Sequence, residues 1–98
     1  MKVLIVEPGK QPRKADIPHT LESMQKTVGG YIEAICPWED AVALVCDEEG
    51  LLKGAPINRM IAPDFGIFGA FFICGIGSDD FVDLTDEMAD KYSRMFEL

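Results

Sequence analysis

The polarity pattern opens with Lys2-Val3-Leu4-Ile5-Val6, a β-branched run with no polar break. Such a run predicts a strand covered on both faces rather than one half open to water. Pro8-Gly9 ends it, and Lys10-Gln11 supplies a polar turn. From Pro12 to Ile17 the charges Arg13, Lys14 and Asp16 lie between two prolines, a composition that a sheet tolerates only at its edge. This segment is expected to fold back on the first strand as a hairpin.

Thr20 offers a hydroxyl to the free amides of a helix whose apolar positions, Leu21, Met24 and Val28, fall at i, i+3 and i+7. Lys26 suits the negative end of its dipole, and Gly29 can take the left-handed conformation that closes the last turn. The joint Val28-Gly29-Gly30-Tyr31 is where the period changes. Beyond it Ile32, Ala34 and Cys36 alternate with Tyr31, Glu33 and Ile35, which predicts a third strand.

Pro37-Trp38-Glu39-Asp40 breaks that strand, and Val42 to Cys46 predicts the next. Asp47-Glu48-Glu49-Gly50 reads as a type I turn with Gly50 left-handed, followed by a short return strand, Leu51-Leu52-Lys53. Gly54 to Phe68 has no clean period and is expected to be irregular. Gly69 to Ile76 predicts a second fully covered strand centred on Phe71, Phe72 and Ile73. Thr85 caps a last helix, with Asp86 and Glu87 in its first turn and an apolar stripe of Met88, Tyr92, Met95 and Phe96. The fold class is therefore α+β: a small mixed sheet of five to six strands packed by two helices, with a grasp-like topology in which a hairpin sheet holds the first helix.

A chain of 98 residues closes one core, so a single domain is expected. The hydrophobic fraction of 48% beside 27% charged residues argues against disorder. Seventeen acids against nine bases give a net charge of −8, which disfavours direct binding to nucleic acid or to an anionic membrane. Cys36, Cys46 and Cys74 are odd in number and form no C-x-x-C pair, so they read as reduced core residues of a cytoplasmic protein. No apolar run approaches the length of a membrane span or a signal peptide.

Several stretches resemble a family of small domain-of-unknown-function proteins from Gram-positive bacteria, their phages and mobile elements. They are Pro8-Gly9, Leu21-Glu22-Ser23-Met24-Gln25, Val28-Gly29-Gly30-Tyr31-Ile32-Glu33, Asp47-Glu48-Glu49-Gly50, Asn58-Arg59 and Gly69-Ala70-Phe71-Phe72-Ile73. The resemblance runs over almost the whole chain. It implies a prokaryotic accessory protein and transfers no catalytic residues, because the family is uncharacterised. Relatives often carry Thr where Ala70 stands and a more polar stretch before it, so the resemblance assigns no role to Met60 to Phe68.

No catalytic, metal or phosphate signature stands out. Gly75-Ile76-Gly77 lacks the third glycine of a nucleotide loop and precedes Asp79-Asp80, which would repel a pyrophosphate. The acids from Asp79 to Asp90 lack calcium-loop spacing, and helix capping with solvation accounts for them. His19 is the only histidine, and a cysteine dyad with it would need an exposed strand cysteine nearby. Neither a cofactor nor a metal is expected.

The candidate binding residues are Asn58 and Arg59, with Tyr31, Glu33 and Asp64. An arginine fork on a loop suits a carboxylate or phosphate; the alternative is that Arg59 pairs internally with Glu33, Asp64 or a loop carbonyl. As a surface residue, Arg59 would tolerate Arg59→Ala within ~1 kcal/mol of stability. Tyr31 is expected either to stand partly open or to pack under the last helix. The function expected first is a non-catalytic module that binds a protein partner through its acidic surface. The alternative is a small-ligand module with a pocket around Arg59, completed by homo-oligomerisation; a homodimer is compatible with either.

Overall fold

The computed structural model describes residues 1–98. In chain order the elements are β1 (Lys2–Val6), β2 (Arg13–Asp16), α1 (Leu21–Val28), β3 (Ile32–Ile35) and β4 (Val42–Asp47). There follow β5 (Ile57–Ala62), β6 (Phe65–Phe68), β7 (Phe71–Ile76), β8 (Phe81–Val82) and α2 (Asp86–Met95). The class is α+β. The main sheet runs β2-β1-β7-β4-β3, with β8 on β7, and β5 and β6 form a separate hairpin.

The sheet is antiparallel throughout, where a mixed one was expected. The reason lies in β7, which inserts between β1 and β4, running opposite to both. β1, β4 and β7 are the long apolar runs because they fill the middle of the sheet and are covered on both sides. On one face Val3, Ile5, Ala43, Val45, Phe72 and Cys74 pack against Met24 and Val28 of α1. On the other, Leu4, Val6, Leu44, Cys46, Phe71 and Ile73 pack against Ala89, Tyr92 and Phe96 at the α2 end and Ile67 of the hairpin. Burying each large side chain of this kind contributes about 1.5–3 kcal/mol. The two helices thus lie on opposite faces of the sheet.

The helix signals hold in detail. The Thr20 and Thr85 hydroxyls accept from the Ser23 and Met88 amides at 3.1 and 3.2 Å, and Gly29 closes α1 at φ 89°. The α2 stripe is shifted: Ala89 is buried, and Met95 is 48% exposed.

Four other expectations are corrected. Leu51-Leu52-Lys53 is an exposed turn, not a strand. Gly50 is not left-handed; that role falls to Gly54 at φ 72°. Gly50 is constrained by space instead, because a Cβ there would collide with the Phe68 carbonyl. The stretch from Ile57 to Phe68 is the β5–β6 hairpin, with Ala62 opposite Phe65 across Pro63-Asp64 and two register shifts that blur its period. Finally, Cys36 lies on the surface, whereas Cys46 and Cys74 are buried free thiols.

Candidate functional site

The hairpin carries Asn58 and Arg59, and both are fastened inward. The Asn58 side-chain amide donates to the carbonyls of Val6 and Gly69, each at 2.9 Å, tying β5 to the end of β1 and to the turn between β6 and β7. Arg59 is 9% exposed. Its Nε donates to the Phe96 carbonyl at 3.0 Å, Nη1 to Asn58 Oδ1 at 2.8 Å and Nη2 to the Lys10 carbonyl at 2.7 Å. All of these partners are neutral. The cation is balanced by carbonyl dipoles, including one at the C-cap of α2, where positive charge is favoured. Burial lowers the Arg59 pKa below its ordinary value, yet an arginine remains charged at neutral pH. Of the internal partners weighed for Arg59, the loop carbonyl is the one found.

Tyr31, Asn58 and Arg59 line none of the five main clefts. Tyr31 lies just before β3, 66% exposed, with its carbonyl accepting from the Glu48 amide at 3.0 Å. Glu33 and Asp64, by contrast, are brought together. They face one cleft of about 310 Å³ between the β3–β4 end of the sheet and the tip of the β5–β6 hairpin. Asp47 and Glu48 join them there, above apolar groups from Leu51, Phe65, Ile67 and Phe68. Phe65, Ile67 and Phe68 were missed because the hairpin was missed, and Glu48 and Leu51 were read only as part of a turn and its return strand. Pro63-Asp64 between Met60-Ile61-Ala62 and Phe65-Gly66-Ile67-Phe68 was the available signal, a proline-led turn between apolar runs.

The four carboxylates differ in their surroundings. Asp47 Oδ1 accepts from the Glu49 amide at 2.9 Å, and Oδ2 accepts from Lys53 Nζ at 2.9 Å. Lys53 also reaches the Gly29 carbonyl at 3.1 Å, linking the end of α1 to this turn. Burial pushes the Asp47 carboxyl upward, but the Lys53 and Glu49 hydrogen bonds outweigh it and hold the pKa below 3.8. Glu33, Glu48 and Asp64 are exposed and have no ion-pair partner. Cys46 also borders the cleft, with its thiol pushed up to about 11, first by burial and then by the charges of Glu33 and Asp47.

The sheet edge beside this cleft is open. Glu48 donates to Tyr31, and the register pairs Glu33 with Cys46 and Ile35 with Leu44. By the alternation of an antiparallel ladder, the backbone groups of Ile32 and Ala34 point away from β4. The opposite edge, β2, is flanked by Pro12 and Pro18 and carries Lys14, which clamps Asp90 of α2 at 2.9 Å.

No helix is long and apolar enough to cross a membrane. No curated protein and no solved structure gives a significant match to the chain. The family described as Domain of unknown function (DUF3846) matches residues 1–97, and the chain belongs to that family.

Proposed function

We propose that the chain is a non-catalytic protein-interaction domain whose partner rests in the acidic cleft between β3–β4 and β5–β6. The observation that carries this reading is the set of three unpaired carboxylates, Glu33, Glu48 and Asp64, around an apolar floor. A lysine or arginine lays its aliphatic stem on such a floor and its charge among such acids. The net charge of −8 adds long-range attraction for a basic partner. The Cys46 thiol that borders the cleft is pushed up to about 11, chiefly by burial, and so is no thiolate nucleophile at neutral pH. Three unpaired cysteines suit a reducing cytoplasm, and the resemblance to proteins of phages and mobile elements suits an accessory domain.

The small-ligand reading draws no support from Arg59, whose fork is filled by the protein itself. The test is titration with an unstructured oligolysine. A variant carrying Glu33→Gln, Glu48→Gln and Asp64→Asn is compared with one carrying Glu22→Gln, Glu87→Gln and Glu97→Gln, which changes the net charge equally. The cleft variant is expected to bind about tenfold more weakly than this control. Equal binding by the two would contradict the reading.

A further inference from the structure

The two edges of the sheet are built differently. β2 carries three charges in four residues, has prolines on both flanks and is held to α2 through Lys14, features that discourage pairing with another strand. β3 is Ile-Glu-Ala-Ile, has no proline or lysine, and presents the N–H and C=O groups of Ile32 and Ala34 outward. An edge of this kind is a template for one more strand.

The two faces flanking that edge specify what the strand should carry. Glu33 and Ile35 point to the hairpin side, where Glu33 stands with Asp64 and Glu48 around the acidic cleft. Ile32 points to the α1 side, where the groove beside the edge begins with Ala34, Cys36 and Ala43 and runs on, beyond β4, to Ile76, Phe81 and the Asp79-Asp80 turn. A strand laid along β3 therefore meets carboxylates at one set of alternate positions and small apolar groups at the other.

We propose that β3 receives an extended segment of a partner protein, antiparallel like the rest of the sheet, in which lysine or arginine alternates with apolar residues. This rests on the interaction reading above and names the partner's form. The basic side chains face Glu33, Glu48 and Asp64. The apolar residues lie level with Ile32 and Ala34 and exchange backbone hydrogen bonds with them. A second copy of this chain is a poorer occupant, because it brings another net charge of −8 to an edge already lined with acids.

The backbone pattern makes this testable apart from the charge. A short peptide alternating lysine and valine is compared with two forms, N-methylated either at every valine or at every lysine. Valine methylation removes the donors aimed at β3 and is expected to weaken binding about tenfold or more; lysine methylation, whose amides face outward, should leave it within about threefold. On the protein side, Ala34→Pro removes an N–H that bonds nothing in the sheet, so the variant should fold and bind the parent peptide about tenfold more weakly. Absence of parent-peptide binding, equal binding by the two methylated forms, or full binding by Ala34→Pro would each overturn strand addition. If the cleft variant still loses oligolysine binding while both methylated peptides bind alike, the interaction reading stands and strand addition alone fails. Sedimentation of the protein alone closes the remaining route: a dimer that Ala34→Pro dissociates would assign the edge to a second copy and overturn the proposal.

Discussion

Arg59 Nε donates to the carbonyl oxygen of Phe96 at 3.0 Å, so a side chain from β5 closes the far end of α2. The same guanidinium reaches the carbonyl of Lys10, in the turn after β1, and thereby holds three segments distant in sequence. Arg59→Ala is accordingly expected to destabilise the protein by about 2–4 kcal/mol, not to be silent as a surface change would be. Chemical denaturation measures this, and Arg59→Lys should recover only part of the loss, since an ammonium lacks the planar fork.

Gly30 sets a second expectation. A Cβ at Gly30 would lie 2.7 Å from both carboxylate oxygens of Asp47 and 2.5 Å from Lys53 Nζ, so the Asp47–Lys53 pair has to give way. Gly30→Ala should cost about 1 kcal/mol, the size expected when a partly buried pair is displaced. The same substitution in a Lys53→Ala background should cost measurably less, and a double-mutant cycle of thermal midpoints reads the difference.

Asp40 and Tyr92 give the stability a pH dependence. Asp40 Oδ2 accepts from Lys91 Nζ and from the Tyr92 hydroxyl, each at 2.6 Å, and these two bonds hold its pKa below 3.8. Its contribution is present above the ordinary carboxylate value and is lost as pH falls through the lowered one. Tyr92 is raised above 10.0, first by burial and then by the bond to Asp40. Its contribution is therefore full below the ordinary phenol value and lost as pH rises through the raised one. Thermal midpoints followed against pH should fall off at both ends, and Asp40→Asn should flatten the acid limb.

The thiols should separate by exposure. Cys36 is exposed, while burial pushes Cys46 up to about 11 and Cys74 up to about 12. In the native state at neutral pH, one thiol should react promptly with a disulfide reagent and two only on unfolding. Cys36→Ser should remove the prompt phase entirely.

Much of the fold could be read from local rules. Thr20, Gly29 and Thr85 mark helix ends through single hydrogen bonds or a single dihedral angle, which depend on near neighbours. The runs at β1 and β7 announced strands covered on both sides, and the run at β4 announced a strand. What could not be read was decided by distant partners. Arg59 became internal because the Phe96 carbonyl happens to lie beside it, and no spacing in the sequence expresses that. The β5–β6 hairpin was hidden by its bulges, which break the period-two signal, and with it went the wall of the cleft. Glu33 and Asp64 stood among the binding candidates and as alternative partners of Arg59; their meeting in one cleft depends on that hairpin folding toward the β3–β4 end.

The most direct test of the central claim is amide hydrogen exchange at Ile32 and Ala34, measured with and without the alternating lysine–valine peptide. In the free protein both amides should exchange fast, while the paired amides of Glu33 and Ile35 on the same strand are protected. With peptide bound, Ile32 and Ala34 should slow markedly. Slowing confined to other amides, or none at all with the peptide demonstrably bound, would contradict the account.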